Sequence, residues 1–268
     1  MLDSTTTTVC SEARDDLRAS NDRARPRGLW ERLDALYSQE REALAEQGYL
    51  AEHARANSIR RQVDVFERYR RFIAPTDRVL DWGCNHAPDS CLLRETFGES
   101  IDLHGCDFAM PGRFRKFHEF ARLDYRMLDD PIQLPYESQT FDALVAAGAL
   151  EHAMMDFESL KELHRVLKPG GRLIVTFLPN RLSLNEFVAR RRKVQAHRRL
   201  YGKGEALSML RHYGFDPLFA AYHQFLPAHR GQKLLGGAWG LNRLLERARP
   251  LNMLCSNIMI VSQKIIFM

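Results

Sequence analysis

Apolar residues in the middle of the chain follow two different spacings in turn. Short apolar runs at 79–80, 101–106 and 141–147 alternate with stretches that repeat apolar residues every three or four positions, as in 88–97 and 156–167. The runs are typical of buried strands, and the wider spacing is typical of amphipathic helices. This alternation predicts a parallel sheet that is covered by helices on both faces.

Helical spacing also dominates on either side of this central segment. We predict a helix from Trp30, a second helix over about 51–73 that Pro75 ends, and a basic helix over about 183–199. The remaining predicted elements are helices near 112–120, 203–213 and 232–247 and strands near 122–128, 172–178, 215–222 and 257–266. The predicted fold class is α/β: a doubly wound, mostly parallel seven-stranded Rossmann-like sheet with an N-terminal helical cap and a C-terminal helical insertion.

These elements divide the chain into four predicted segments. Residues 1–28 are a disordered tail, 29–75 the helical cap, 76–180 a cofactor-binding core, and 181–268 a substrate-side elaboration with the last strands. Hydrophobic residues make up 45% of the 268 residues and charged residues 27%, as in soluble globular enzymes. With neither a signal-like apolar N-terminus nor a run of about 18 apolar residues, we predict a cytoplasmic protein without a transmembrane segment.

Charge and cysteine content exclude some functional classes. The net charge of +5 is too small to indicate nucleic acid as a partner. The five cysteines include no C-x-x-C pair, so they predict neither a disulfide framework nor a zinc site. We therefore expect reduced thiols and no bound metal.

Acidic residues follow two predicted strands at the point where each strand ends. Asp81 and Gly83 come directly after the first strand, and Asp107 ends the second strand. Open α/β sheets bind ligands at the carboxyl ends of their strands, and glycine allows the backbone to approach a ligand closely. A carboxylate at position 107 can accept hydrogen bonds from both hydroxyls of a ribose, which predicts a cofactor that contains adenosine.

Further positions fit such a cofactor. Phe108 is either a cover for the adenine ring or an ordinary core residue. Asp130 can accept a hydrogen bond from the adenine amino group, although its neighbour Asp129 could take that role. Ala147, after the fourth strand, leaves room for the reactive end of the ligand.

Segment 78–180 resembles the class I S-adenosylmethionine-dependent methyltransferases of the broad type 11 kind. The resemblance rests on Leu134-Pro135 with Phe141-Asp142, on Leu150-Glu151-His152, and on the Leu-Lys-Pro-Gly-Gly of 167–171. The segment is similar to ubiquinone-pathway O-methyltransferases and to methyltransferases associated with cell-envelope polysaccharide synthesis. The resemblance implies S-adenosylmethionine as cofactor and a small-molecule, glycan or lipid-linked acceptor.

The first loop departs from the family pattern. The usual Asp-x-Gly-x-Gly-x-Gly is here Asp81-Trp-Gly83-Cys-Asn85-His-Ala87. Asparagine tolerates left-handed backbone conformations, so we expect Asn85 to preserve the turn and to border the cofactor. The lost glycines motivate one alternative, a degenerate methyltransferase fold that binds a ligand without turnover. A nicotinamide-dependent dehydrogenase is disfavoured, because the loop lacks the spacing of a pyrophosphate-binding helix.

His152 is the candidate catalytic residue. An imidazole near its ordinary pKa suits a general base that removes a proton from a hydroxyl acceptor. The alternative is a histidine that only shapes the pocket, since methyl transfer depends mainly on positioning. Residues 146–149 contain no Asn-Pro-Pro-Tyr motif, which favours methylation on oxygen or carbon over nitrogen.

Two basic features have functional and non-functional interpretations. Arg60 either binds the carboxylate of the cofactor or belongs to a solvated face. The basic run 190–199 either forms a solvated face or binds an anion, which could be a nucleotide sugar, a lipid phosphate or a membrane surface. The second interpretation predicts an anionic acceptor or peripheral membrane contact.

Overall fold

The computed structural model describes residues 28–40, 48–192, 197, 199–225 and 238–265. The predicted tail lies outside these ranges apart from Gly28. The described helices are α1 (Gly28–Gln39), α2 (Gly48–His53), α3 (Ala56–Tyr69), α4 (Pro88–Phe97), α5 (Arg115–Ala121), α6 (Asp156–Val166), α7 (Leu184–Arg191), α8 (Lys203–His212) and α9 (Ala238–Arg247). The strands are β1 (Arg78–Trp82), β2 (Asp102–Asp107), β3 (Asp124–Met127), β4 (Phe141–Ala147), β5 (Leu167–Pro179), β6 (Phe215–His223) and β7 (Asn257–Lys264).

The strands form one seven-stranded sheet in the order β3-β2-β1-β4-β5-β7-β6. Strands β1 to β5 pair in parallel, while β7 runs antiparallel to both of its neighbours. The predicted doubly wound, mostly parallel α/β fold is therefore confirmed. The chain moves outward from β1 to β3 and returns to β4, so the strand order reverses between β1 and β4. A crevice at the carboxyl ends of these strands is where such sheets bind ligands.

Successive residues of each central strand pack on opposite faces of the sheet. Val79 of β1 and Ala143 of β4 belong to one apolar core, which the side chains of α1 to α5 complete. Their neighbours Leu80 and Leu144 belong to a second core with α6 and α8. These four side chains are fully buried. The continuous apolar character of the strands, with no polar alternation, thus follows from burial on both faces.

The N-terminal cap differs from its prediction in one respect. A single helix over 51–73 is wrong, because a turn at 54–55 separates α2 from α3. Arg55 has an extended backbone, and its carbonyl accepts hydrogen bonds from the backbone N–H groups of Ser58 and Ile59, which begins α3. The break places both Leu50 and Ile59 in the core at 1% exposure. No glycine or proline marks it in the sequence.

The predicted basic helix over 183–199 is also too long. Helix α7 ends at Arg191, and His197, Arg199 and Leu200 lie outside any helix. Arg199 instead donates hydrogen bonds to the carbonyls of Ala153 and Met154, which an extended segment can reach. Residues 193–196 and 198 of the basic run lie outside the described residues.

The last elements agree with their predicted positions to within a few residues. Strands β6 and β7 lie at 215–223 and 257–264, and α8 lies at 203–212. Strand β5 begins at Leu167, earlier than predicted, because the 167–171 segment continues into the sheet. Of the predicted insertion helix near 232–247, only the part from Ala238 onward is described. Among the described helices, none has the length and apolar character that a membrane span needs.

Candidate active site

The loop after β1 contains three residues with positive φ angles, Gly83, Asn85 and Ala87. Gly83 has φ +69°, and a Cβ there would lie 2.7 Å from the Cβ of Ala149. Asn85 and Ala87 also have positive φ values, of 47° and 53°. Asn85 therefore adopts the left-handed conformation that the sequence predicted. Ala87 adopts it at the steric cost that an L-residue incurs and is fully buried at the start of α4.

Asp107 links this loop to the end of β2. Its Oδ2 accepts a hydrogen bond of 2.8 Å from the backbone N–H of Asn85, and its Oδ1 accepts one of 2.6 Å from the N–H of Phe108. The Asn85 carbonyl lies 2.8 Å from Nε2 of His118 on α5. The structure therefore brings together two of the predicted cofactor residues, Asn85 and Asp107, at the carboxyl ends of β1 and β2.

Asp81 is a buried residue near the end of β1. It is 3% exposed and accepts a hydrogen bond of 2.7 Å from the Ser90 hydroxyl. A second buried carboxylate, Asp89, accepts hydrogen bonds from Gln62 and Tyr69. Burial raises the pKa of Asp81, and the negative charge of Asp89 raises it further. Asp81 is thus held by a residue of α4, and a direct role toward a ligand stays a prediction.

The two predicted adenine-side residues are open to solvent. Phe108 is 56% exposed beside Asp107, so its ring is not ordinary core. Asp130 lies in the loop after β3, where its Oδ1 accepts hydrogen bonds from the N–H groups of Ile132 and Gln133, which lower its pKa. Its other oxygen is not used in these contacts. Their contacts with adenine stay predictions.

A second loop follows β4. Ala147 is partly buried at the end of the strand, and Gly148 has φ +63°. A Cβ on Gly148 would meet nothing closer than Oε1 of Glu151 at 3.7 Å and Cβ of Phe177 at 3.9 Å. Glycine suits this backbone angle, and the Glu151 carboxylate and Phe177 both lie near it.

Glu151 is a buried carboxyl group that the sequence analysis did not select. It is 6% exposed, and no charged side chain among the described residues acts on its pKa. Burial raises its pKa to about 7. A carboxyl group that changes its charge near neutral pH beside an open loop is suited to accept a proton.

His152 follows in the same short 3-10 turn at Leu150–His152 but has an exposed side chain. Partial burial lowers its pKa, and the positive charge of His197 lowers it further. It therefore remains neutral at pH 7 and can act as a base. The turn brings it next to Glu151, and its catalytic role stays a prediction.

The arginines of α3 have different environments. Arg60 is exposed, with its guanidinium 5.6 Å from the ring centroid of Trp30. Arg61 is partly buried, with its guanidinium 5.4 Å from the ring centroid of Phe177. Arg68 pairs with Asp64 and Glu246. The solvated-face interpretation of Arg60 thus agrees with its exposure, whereas Arg61 is partly buried.

Three comparisons with known proteins bear on this arrangement. Residues 80–175 match a family model described as "Methyltransferase domain". Over 106 residues the chain is 35% identical to a demethylmenaquinone methyltransferase of Thermus thermophilus, a match that covers 38% of this chain and 47% of that protein. Over 164 residues it is 29% identical to a malonyl-[acyl-carrier protein] O-methyltransferase of Herminiimonas arsenicoxydans, which covers 60% of this chain and 61% of that one.

The fold is also that of a solved methyltransferase. A solved S-adenosylmethionine-dependent methyltransferase of Thermotoga maritima superposes with a TM-score of 0.58 at 15% identity, over 87% of this chain and 99% of that one. Residues 80–175 of this chain thus match a methyltransferase domain, and the chain has the fold of solved S-adenosylmethionine-dependent methyltransferases. The chain spans about half the length of several curated relatives it matches, so the activity and acceptor of the whole protein are argued below as proposals.

The cofactor implied by this methyltransferase domain is S-adenosylmethionine, and the residues present fit it. Oδ1 of Asn85 is buried without a hydrogen-bond partner in the described structure, and the backbone N–H of the same residue donates to Asp107. A buried polar atom without a partner is costly unless a ligand satisfies it. Asp107 retains acceptor capacity beyond its two backbone contacts. When bound, S-adenosylmethionine supplies an electrophilic methyl group.

The described residues include no cluster of side chains typical of a metal site. No group of three or more His, Cys, Asp or Glu side chains there could hold a metal ion. Four cysteines, Cys84, Cys91, Cys106 and Cys255, are buried free thiols. Cys10 lies outside the described residues.

Proposed function

We propose that the protein transfers a methyl group from S-adenosylmethionine to an oxygen atom of a small-molecule, glycan or lipid-linked acceptor. The observation that carries the proposal is the contact between Asn85 and Asp107, which joins the loops after β1 and β2. In this proposal Asp107 binds the ribose hydroxyls, with Phe108 and Asp130 toward the adenine. Gly83 and Ala147 allow the backbone to lie close to the ligand.

Methylation on oxygen requires that the acceptor hydroxyl lose its proton. Two adjacent residues are candidates for the base, Glu151 and His152. We favour Glu151, because its carboxyl group is buried next to Gly148 and the burial raises its pKa to about 7, whereas the His152 side chain is exposed. His152 then lines the entrance to the site.

Exposed apolar residues near this turn support a lipid-linked or carrier-linked acceptor. Met154 is 74% exposed and Phe187 on α7 is 54% exposed. The turn that carries Met154 lies near α7. Arg199 donates a hydrogen bond to the Met154 carbonyl, and His197, two residues earlier, pairs with Glu186 of α7. An apolar surface beside basic residues is suited to a lipid or an acidic carrier. The malonyl-[acyl-carrier protein] O-methyltransferase relative is consistent with such an acceptor.

Isothermal titration with S-adenosylmethionine separates the enzyme from the degenerate-fold alternative. Micromolar binding supports the enzyme, and no detectable heat at millimolar cofactor supports the alternative. Turnover is then measured as S-adenosylhomocysteine release with a panel of hydroxylated acceptors. Glu151→Gln is expected to lower the rate at pH 7.5 by about 10²-fold or more while leaving cofactor affinity unchanged.

A further inference from the structure

Arg61 is a cation without a matching anion among the described residues. In the described structure it forms no ion pair with a carboxylate, and its Nε is buried and unsatisfied; the Tyr37 hydroxyl is close enough to act on its pKa. The nearby Arg68 is fully paired with Asp64 and Glu246. Burial lowers the pKa of Arg61, although the guanidinium stays charged at neutral pH. A partly buried guanidinium without an acceptor is costly unless a ligand supplies one.

Arg61 packs against β5, on the side of the sheet away from Asn85 and Asp107. Its guanidinium lies over the ring of Phe177, which comes directly after the β5 residue that pairs with Ala147. Phe177 also contacts His223 at the end of β6, with ring centroids 5.2 Å apart. Asn85 and Asp107 lie over β1 and β2, on the other side of β4. Arg61 therefore stands over the strands that the cofactor residues do not occupy.

No carboxylate among the described residues pairs with Arg61, since Asp64 and Glu246 pair with Arg68 and Arg243. His223 is 1% exposed, and both of its ring nitrogens lack a partner among the described residues. Burial lowers the pKa of His223 well below its ordinary value, and the charges of Arg68 and Arg61 lower it further. His223 is thus neutral and lies buried against Phe177, so it adds no positive charge of its own. The Arg61 guanidinium and the Phe177 ring are both partly buried, and a charged fork beside an aromatic ring suits an anionic group.

We propose that Arg61 binds an anionic group of the methyl acceptor, a carboxylate or a phosphate, while the hydroxyl to be methylated lies toward Gly148 and Glu151. Phe177 connects the two positions, since it contacts Arg61 and lies near Gly148. This inference rests on the proposed methyltransferase function. It defines the acceptor class as hydroxylated molecules that carry a negative charge.

The experiment uses the protein saturated with S-adenosylhomocysteine and ligand-observed NMR titrations with benzoate, phenyl phosphate and neutral benzamide. The wild type is expected to bind at least one of the two anions at least tenfold more tightly than benzamide. The preferred anion identifies the group as carboxylate or phosphate. Arg61→Met should abolish the preference, Arg61→Lys should retain part of it, and the matched control Arg60→Met should retain all of it.

Each other outcome overturns the inference. No anion preference in the wild-type complex, or an equal preference in Arg61→Met, would exclude an acceptor site at Arg61. Loss of S-adenosylhomocysteine affinity in Arg61→Met, with the anion preference intact, would assign Arg61 to the carboxylate of the cofactor. Failure of the wild type to bind S-adenosylhomocysteine would contradict the proposed function itself and is measured separately by calorimetry.

Discussion

Replacing Glu151 with Gln changes the pH dependence of stability in a direction that the structure fixes. The carboxyl group ionises near its ordinary value of 4.5 in the unfolded chain and at about 7 in the folded protein. Because the folded pKa is raised, the wild type carries its full stability below pH 4.5 and loses part of it as the pH rises to 7. The neutral amide of Gln carries no such penalty.

The size of the effect follows from the shift. A difference of about 2.5 pKa units corresponds to about 3 kcal/mol of unfolding free energy. Glu151→Gln should therefore match the wild type at pH 4 and be more stable by about 3 kcal/mol at pH 8, with the change between pH 4.5 and 7. Urea unfolding at a series of pH values measures it, as a midpoint shift of about 1 M or more at pH 8.

Glu162 provides the matched control. Burial acts to raise its pKa, but hydrogen bonds from Arg165 and from the Leu134 N–H bring it below the ordinary value. A lowered folded pKa contributes stability above pH 4.5 that is lost at lower pH, so Glu162→Gln should lose stability at neutral pH. A difference between Glu151→Gln and wild type that stays constant from pH 4 to 8 would refute the reasoning, because it would show that Glu151 titrates normally.

Three further predictions concern the two loops. Gly83→Ala should lower the unfolding free energy by about 2 kcal/mol or more in urea unfolding, because it combines a positive φ with a 2.7 Å contact to Ala149; an effect below 0.5 kcal/mol would contradict the observed loop. Ala87→Gly should change the unfolding free energy by less than about 1 kcal/mol, because relief of the left-handed alanine offsets the lost buried methyl group. A loss of several kcal/mol would argue against a left-handed conformation at position 87. His152→Ala should reduce the methyl-transfer rate by less than tenfold if Glu151 is the base, whereas a fall of about 10²-fold or more would make His152 the base.

The fold was predictable because the order of strands and helices depends on repeated local patterns. Apolar runs such as 141–147 are buried on both faces, and that burial leaves a continuous signal in the sequence. The break between α2 and α3 left no such signal. It depends on where Leu50 and Ile59 meet the core, and no glycine or proline records it. The end of α7 likewise depends on the tertiary contacts of Arg199.

The candidate site was predictable where a residue type marks a backbone requirement or a strand end. Gly83, Asn85 and Asp107 carry such marks, and the structure joins the last two by a hydrogen bond. Glu151 and Arg61 were missed because their importance comes from burial and unpaired charge, which depend on distant residues. The sequence contained one indication that Arg61 is partly buried, namely its position on the helix. Arg61 lies three residues after the buried Ser58 and four before the buried Val65, on the flank of the inward face of α3.

The cofactor assignment depends above all on Asp107, and calorimetric titration of S-adenosylmethionine tests it directly. The account predicts that the wild type binds and that Asp107→Ala binds about 10- to 100-fold more weakly, the effect expected from lost hydrogen bonds to a charged group. Asp102→Ala, at the other end of β2 with an exposed side chain, should bind as the wild type does. Equal affinity of Asp107→Ala and wild type, or no binding by the wild type, would contradict the account.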